Sequence, residues 1–126
     1  MKRETARRRR PVANISFGRA SRLHRLVAQL GNGPCDRQVL LAGLSIGLRT
    51  FYRELDLLKR CGIKVTRTDH VYVLKTSPVD AQGRLPFPDP QLSFAEMSEL
   101  AAYQGVASQR LAKLLESVVN PSPPAP

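Results

Sequence analysis

Apolar positions recur with a helical period through the first half of the chain. Four of them, spaced at i, i+3, i+4 and i+7, predict a first helix over about residues 20–30. These four are Leu23, Leu26, Val27 and Leu30. Asp36 is a good N-cap for a second helix that ends near Gly43, and a longer helix is predicted over about residues 48–61, where Gly62 ends it. Two helices joined by a few residues that include a glycine are typical of a helix-turn-helix.

The pattern changes from a period of 3.6 to a period of 2 after Gly62. Residues 63–67 alternate between apolar and polar, and residues 71–74 are rich in β-branched and aromatic side chains. Residues 68–70 then form the tip of a hairpin. The predicted fold is therefore mostly α (α+β): a winged helix-turn-helix over residues 19–75, with three helices and a two-stranded β wing, followed by a C-terminal helical segment.

Proline separates this predicted domain from the C-terminal segment. Residues 76–92 contain four prolines, which remove hydrogen-bond donors and favour extended backbone, so this stretch is predicted to be a linker and not a helix. Ser93 and Glu96 have the spacing of a capping box at the start of a helical segment over residues 93–120. That segment carries two apolar stripes, Phe94, Met97, Leu100 and Ala101, then Leu111, Leu114, Leu115 and Val118. Residues 121–126 are expected to be a disordered, proline-rich tail.

Charge is distributed unevenly along the 126 residues. Residues 1–75 carry 17 Lys and Arg against 5 Asp and Glu, a net of +12, whereas the remainder carries 3 against 5, a net of −2. Such a balance indicates a polyanion as the partner, either nucleic acid or an acidic membrane surface. Residues 1–18 are predicted to be a disordered basic arm that lies along phosphates or enters a minor groove, and the alternative is a tail that is only solvated. The arm contains Arg7, Arg8, Arg9 and Arg10.

Composition disfavours several classes of function. No run approaches the ~20 apolar residues of a membrane span, and the absence of Trp disfavours a platform for stacking single-stranded bases. Two Cys and two His are too few for a four-ligand zinc site, so no metal and no cofactor are expected. Cys35 and Cys61 are predicted to be reduced and buried in a cytoplasmic protein. No Gly-rich phosphate loop or spaced catalytic cluster occurs, so we expect a binding protein and not an enzyme.

The third predicted helix has an inward apolar stripe and an outward polar side. The stripe is Phe51, Leu55 and Leu58, and the outward side is Arg49, Tyr52, Arg53 and Asp56. In a major groove an arginine can take O6 and N7 of guanine in a bidentate contact, worth ~1–3 kcal/mol of discrimination. Tyr52 and Thr50 suit phosphate oxygens, which fix register without carrying sequence information. The alternative is that both arginines are solvated or pair with Glu54 and Asp56.

A motif in this region is similar to one of a known protein family. Residues 49–55 read Arg-Thr-Phe-Tyr-Arg-Glu-Leu, and they are the most specific part of a likeness that covers roughly residues 19–105 and is carried mainly by residues 40–63. This region looks like the N-terminal DeoR-type winged helix of bacterial WYL-domain transcription regulators. Tyr72 and Leu74 resemble the Tyr-x-Leu of that family's second wing strand, and residues 90–96 resemble its exit to the next helix.

The resemblance implies a sequence-specific regulator of transcription that binds double-stranded DNA in the bacterial cytoplasm, at the nucleoid. Residues 48–61 would lie in the major groove, with the wing and the basic arm on the backbone. The expected DNA-binding residues are Leu48, Arg49, Thr50, Tyr52, Arg53, Arg67, His70 and the four arginines of the arm. Ser45 and Gly47 reverse the family's usual order of a turn glycine and a capping Ser or Thr, and Leu48 stands where the family often has Arg. The effector-sensing WYL domain does not fit into the remaining residues, so the likeness concerns the DNA-binding part alone.

The C-terminal stripes have little to cover once the winged helix has its own core. We expect residues 93–120 to pair two chains as a homodimer, and the alternative is that they pack back on the first helix. Gly105 either ends the first helix of this segment or only bends it. Two other functions stay open: the DNA-binding or regulatory head of a larger protein, and a basic RNA-associated protein, which would need exposed aromatics for single-stranded bases.

Overall fold

Six helices and three short strands make up residues 15–120, the part of the chain that the computed structural model describes. Along the chain they are α1 (Phe17–Gly31), β1 (Cys35–Asp36), α2 (Arg37–Leu44), α3 (Leu48–Arg60), β2 (Val65–Thr68), β3 (Val71–Leu74), α4 (Pro78–Gly83), α5 (Phe94–Ala101) and α6 (Val106–Val119). The protein is mostly helical with a small antiparallel sheet, which confirms the coarse fold prediction. The chain divides into two compact units between Asp89 and Pro90: the first holds α1 to α4 and the sheet, and the second holds α5 and α6.

Helix α1 begins earlier than predicted. The Oγ atom of Ser16 accepts a hydrogen bond from the backbone N–H of Arg19 at 3.1 Å and so caps the helix, and Ile15 before it is buried in the core. Residues 15–18 are therefore ordered, contrary to the prediction of a disordered arm, because a capping serine and an apolar side chain precede the helix. The rest of the predicted arm lies outside the described residues. The four apolar positions predicted to form the inward side of α1 are all buried.

The connection between α2 and α3 is a turn of three residues. Asp36 caps α2 as predicted, since its Oδ1 atom accepts a hydrogen bond from the N–H of Gln38 at 2.8 Å. After α2 ends at Leu44, Ser45 adopts the left-handed conformation (φ 53°, ψ 49°). Gly47 then precedes α3 in extended backbone and offers no side-chain cap. The strained position and the missing cap follow from a serine at position 45 and a glycine at position 47.

The buried side of α3 differs in part from the predicted stripe. Phe51 and Leu58 are buried as expected, whereas Leu55 is only half-buried. Leu57 and Glu54 are also buried, so the inward side of α3 is rotated toward Glu54 relative to the prediction. A charged side chain in that position requires partners, and α1 supplies them.

The sheet has three strands in the order β1-β3-β2, whereas the sequence predicted two. Strands β2 and β3 form the predicted hairpin, with Val65 opposite Leu74 and a turn at Asp69 and His70. Strand β1 adds to the other edge of β3, with Cys35 opposite Tyr72. A strand of two residues is too short to show a period, so the alternation of polar and apolar side chains could not reveal it.

The predicted proline-rich linker over residues 76–92 contains a helix, α4, which corrects the prediction of a stretch without one. The Oγ atom of Ser77 accepts a hydrogen bond from the N–H of Asp80 and caps α4, and Pro78 occupies its first turn. Proline is tolerated there because the first N–H groups of a helix have no partner within it. Ala81 is fully buried and Leu85 packs against the core, so this segment is part of the first unit.

The second unit is a pair of helices joined by a short turn. Ser93 and Glu96 form the predicted capping box at the start of α5, with both reciprocal hydrogen bonds present. Gly105, at φ 121°, separates α5 from α6, so the segment is two helices and not one bent helix. No residue of α5 or α6 is buried. Among the helices between residues 15 and 120, none combines the length and the apolar character that a membrane span needs.

The two cysteines are free thiols and are half-buried, which is less burial than the sequence predicted. Burial raises the pKa of Cys61, although the nearby charge of Arg60 lowers it somewhat. Burial also raises the pKa of Cys35, and the neighbouring carboxylate of Asp36 raises it further. Both thiols are therefore held in the protonated, less nucleophilic form at neutral pH.

Exchanging the two residues of the α2–α3 turn should stabilise the protein. Ser45→Gly removes a side chain from the left-handed region, where a Cβ costs ~1–2 kcal/mol. Gly47→Ser offers a hydroxyl oxygen to the unpaired N–H groups in the first turn of α3. We expect each substitution to raise the free energy of unfolding by a few tenths to about 1 kcal/mol, measured by urea denaturation.

The control is Gly47→Ala, which adds the same Cβ without an acceptor. No atom lies within 4 Å of a Cβ at position 47, so neither substitution meets a steric obstacle. Equal stabilities of the serine and alanine variants would show that the missing cap is not the cause.

Candidate nucleic-acid interface

The outward side of α3 forms a shallow, open surface near its N-terminal end. It is lined by Leu48, Arg49, Tyr52, Arg53 and Asp56. Arg49 and Arg53 are exposed, and neither has a hydrogen-bonding or ionic partner among residues 15–120. Asp56 instead lies 3.6 Å from Arg60, one turn further along the same helix. The alternative in which Arg49 and Arg53 pair with Glu54 and Asp56 is therefore not what the structure contains.

Glu54 points the opposite way and is bound by two arginines of α1. Its Oε1 atom lies 2.8 Å from both Nε and Nη2 of Arg19, and its Oε2 atom lies 2.5 Å from Nη1 of Arg22. The Glu54 side chain is 1% exposed, and the arginine side chains are 25% and 30% exposed. Both carboxylate oxygens thus have charged donors, which is what makes burial of a carboxylate tolerable. The contact joins the first turns of α1 to the middle of α3.

Tyr52 is held by a residue that the sequence did not single out. Nη1 of Arg37, the first residue of α2, donates a hydrogen bond to Oη of Tyr52 at 2.9 Å. The backbone N–H of Arg37 donates to the carbonyl oxygen of His70 at 2.8 Å. Arg37 therefore connects α2, the turn of the hairpin and the outward side of α3.

The buried Tyr72 of β3 completes this group. Burial raises the pKa of its hydroxyl, and a hydrogen bond to Tyr52 raises it further, whereas the charges of Arg67 and Arg37 lower it. The ring of Phe51 meets the ring of Tyr72 edge-on, with centroids 5.2 Å apart. The hairpin is thereby packed against α3 through aromatic contacts.

The hairpin also carries predicted site residues. Arg67 on β2 is exposed and lies opposite Tyr72, so its charge is close to the tyrosine pair. His70 is exposed in the turn. A groove of about 650 Å³ runs between α3 and β2, and among its lining residues are Tyr52, Lys59 and Lys64.

The predicted site residues are therefore brought together only in part. Four of them line one surface: Leu48, Arg49, Tyr52 and Arg53. Arg67 is close to that surface, because its charge acts on Tyr72, which contacts Tyr52. Thr50 is half-buried and does not line that surface. Arg7, Arg8, Arg9 and Arg10 lie outside the described residues.

Sequence reasoning did not identify three features of this arrangement. These are the burial of Glu54, the hydrogen bond from Arg37 to Tyr52, and the contact of Tyr72 with Tyr52. A signal for Glu54 was present, because it lies three residues after Phe51 and four before Leu58 and so falls on the apolar stripe. A charged residue in an apolar stripe indicates a buried ion pair. No comparable signal marks Arg37, because its partner is 15 positions away on another helix.

Within residues 15–120, no three His, Cys, Asp or Glu side chains are close enough together to hold a metal ion. No family model, no curated protein and no solved structure matches this chain. The functional interpretation therefore depends on the geometry of α3 and the residues around it.

Neutralising Glu54 should destabilise the fold. Glu54→Gln keeps the shape but leaves two guanidinium groups opposite a neutral amide. Breaking a fully buried ion pair costs ~3–5 kcal/mol, and because both arginines keep part of their exposure we expect a loss of about 1–3 kcal/mol in the free energy of unfolding. Urea denaturation measures it.

Asp56→Asn on the same helix is the matched control. Its pair with Arg60 is exposed on both sides, so removal of this charge should change stability by less than ~0.5 kcal/mol. If the two variants were destabilised by the same free energy, the buried ion pair would have no special role.

Proposed function

We propose that the protein is a sequence-specific, double-stranded DNA-binding regulator of transcription. The observation that carries this proposal is the pair of unpartnered, exposed guanidinium groups at Arg49 and Arg53 on the outward side of α3, within the described part of the chain. They lie on a helix whose other side is fully anchored by Phe51, Leu58 and the buried Glu54. An anchored helix with free arginines can enter a groove without losing its packing.

The dimensions of α3 suit a major groove. Its 13 residues give a length of about 20 Å, and an α-helix with its side chains is about 10–12 Å across. A major groove is about 12 Å wide and admits a helix of that width. In this arrangement Arg49 and Arg53 read base edges, and Leu48 offers an apolar contact such as the methyl group of thymine accepts. Tyr52 contacts the phosphate backbone, which fixes register.

We further propose that the first unit is a winged helix-turn-helix of the DeoR type. The order of elements supports this: α1, then α2 and α3 joined by three residues, then the β2–β3 hairpin. In this interpretation the hairpin is the wing, with Arg67 and His70 at the backbone, and β1 is an added strand on its inner edge. The basic residues 7–10 follow the duplex as an arm and add affinity without sequence preference.

The proposal describes a binding protein and not an enzyme, and it assigns the protein to the nucleoid in a bacterial cytoplasm. The charge distribution supports a nucleic-acid partner. The net charge of +12 lies in residues 1–75, which include the whole of α3 and the hairpin. A concentration of positive charge in the unit with the unpartnered arginines favours association with a polyanion.

We also propose that α5 and α6 pair two copies of the chain as a homodimer. No side chain of this helix pair is buried, and Leu114 on α6 is 60% exposed, so the unit has no core of its own.

Charge favours a second copy as the cover. The two ionisable residues of α5 are Glu96 and Glu99, whereas Arg110 and Lys113 outnumber Glu116 on α6. A partner whose α6 meets α5 therefore brings opposite charges together around an apolar centre. Two copies present two α3 helices, as a pair of half-sites on DNA requires.

Replacing Arg49 or Arg53 by alanine should relax base preference. Each Arg→Ala variant of the full chain should lose discrimination at one base position by ~1–3 kcal/mol. Deletion of residues 1–10 should instead weaken binding to all sequences alike and reduce the salt slope by about 0.9 for each phosphate that the arm neutralises in the full chain. Fluorescence anisotropy with duplexes selected from a random pool, repeated over a salt series, separates the two effects.

Arg25→Ala on α1 changes an exposed arginine outside α3 and is the charge-matched control, which should retain base preference. Equal losses of affinity on every DNA sequence from Arg49→Ala, Arg53→Ala and the arm deletion would reject the two arginines as base readers.

A charge on the apolar side of α6 should abolish the dimer. We expect the full chain to sediment as a dimer and Leu114→Glu to sediment as a monomer, because a carboxylate would be buried without a partner. Gln109→Glu adds the same charge at an exposed polar position of α6 and should remain dimeric. A wild-type chain that is monomeric at all concentrations would favour intramolecular packing of α5 and α6.

A further inference from the structure

The oxygen of Tyr52 accepts a hydrogen bond from a guanidinium group of α2. The donor is Nη1 of Arg37, and the two atoms are 2.9 Å apart. A guanidinium group only donates hydrogen bonds, so the oxygen of Tyr52 is the acceptor in this contact. A phenol oxygen has two acceptor positions and one proton. The contact with Arg37 therefore leaves the proton of Tyr52 able to donate elsewhere.

The hydroxyl of Tyr52 is accessible to a partner. Tyr52 is 41% exposed on the surface it shares with Arg49 and Arg53. The packing of the ring against Phe51, with centroids 5.6 Å apart, limits rotation of the side chain. The hydroxyl is therefore available to donate a hydrogen bond to a bound partner.

Arg37 is placed at a cost to the fold. Its Nε atom is buried and has no hydrogen-bond partner within residues 15–120. An unpaired buried donor is unfavourable, so the side chain is not explained by stability alone. Its guanidinium and that of Arg67 both lower the pKa of Tyr72, so positive charge lies close to this part of the surface.

We propose that Arg37 positions Tyr52 as a hydrogen-bond donor to one phosphate oxygen of the DNA backbone. A phosphate oxygen only accepts hydrogen bonds and carries a negative charge, which matches both the proton of Tyr52 and the positive surroundings. Guanine, adenine and thymine also present acceptors in the major groove, but these are neutral and match the proton alone. Arg37 is thus a positioning residue that acts through Tyr52. This inference depends on the proposed binding of double-stranded DNA.

The test uses the full chain and a 20-bp duplex selected by it from a random pool. Tyr52→Phe keeps the ring and removes the hydroxyl, so binding should weaken about tenfold. Arg37→Met should give a similar loss, and the double variant should lose about tenfold and not a hundredfold, because the two residues act as one unit. Tyr103→Phe changes an exposed tyrosine of the second unit and is the matched control, with no loss expected.

A second set of measurements identifies the contact on the DNA. A series of duplexes is made, each with one phosphate replaced by a neutral methylphosphonate. At one position in the series the wild type and Tyr52→Phe should bind with equal affinity, because the phosphate that Tyr52 contacts has been replaced. Because Arg37→Met could reduce folding, its thermal unfolding is measured as well. Arg37→Lys, which keeps a positively charged donor near Tyr52, should retain more of the affinity than Arg37→Met.

The outcomes are distinct. Failure of the wild-type chain to bind any duplex from the pool would overturn the proposed function itself. Wild-type affinity in Tyr52→Phe, a loss that depends on base identity, or independent losses that multiply in the double variant would overturn the positioning inference while leaving DNA binding intact.

Discussion

The buried carboxylate of Glu54 determines which side of α3 is available to a partner. Two arginines of α1 bind its two oxygens, and Phe51 and Leu58 pack into the core beside it. Successive residues of a helix differ by about 100° in direction, so an inward side that holds Phe51, Glu54 and Leu58 leaves Arg49 and Tyr52 to face out. The exposed surface of α3 is thus a consequence of an interaction on its hidden side. Two positive charges are used to hold one negative charge, which leaves a net positive charge near the start of α1.

Local patterns were sufficient to predict the helices that carry the site, because their signals depend on residues within one or two turns. The stripe of α1, the cap at Asp36 and the capping box at Ser93 are all of this kind, and all are confirmed. The short strand β1 and the helix α4 were missed, since neither shows a period. Proline content indicated an irregular segment, but a proline in the first turn after a capping serine is compatible with a helix.

The candidate site was predictable where exposure follows from helical geometry and not where it depends on tertiary contacts. Arg49, Tyr52 and Arg53 were placed on one side of α3 by their spacing alone, and the structure has them there. The partners of Glu54 are more than 30 positions away, and those of Tyr52 come from α2 and β3. No pattern along the chain reports such contacts, because they arise only when separate elements pack together.

The docking of α4 changes how the chain tolerates substitution. Ala81 has no exposed surface, and Pro78 lies about 3.4 Å from where a Cβ at Gly31 would be. A larger side chain at either Gly31 or Ala81 would overpack this contact and push the two helices apart, at a typical cost of about 1–3 kcal/mol. Residues 76–85, whose composition predicts a linker, therefore tolerate substitution as poorly as the core does. We expect sequence variation in this region to be concentrated beyond Leu85.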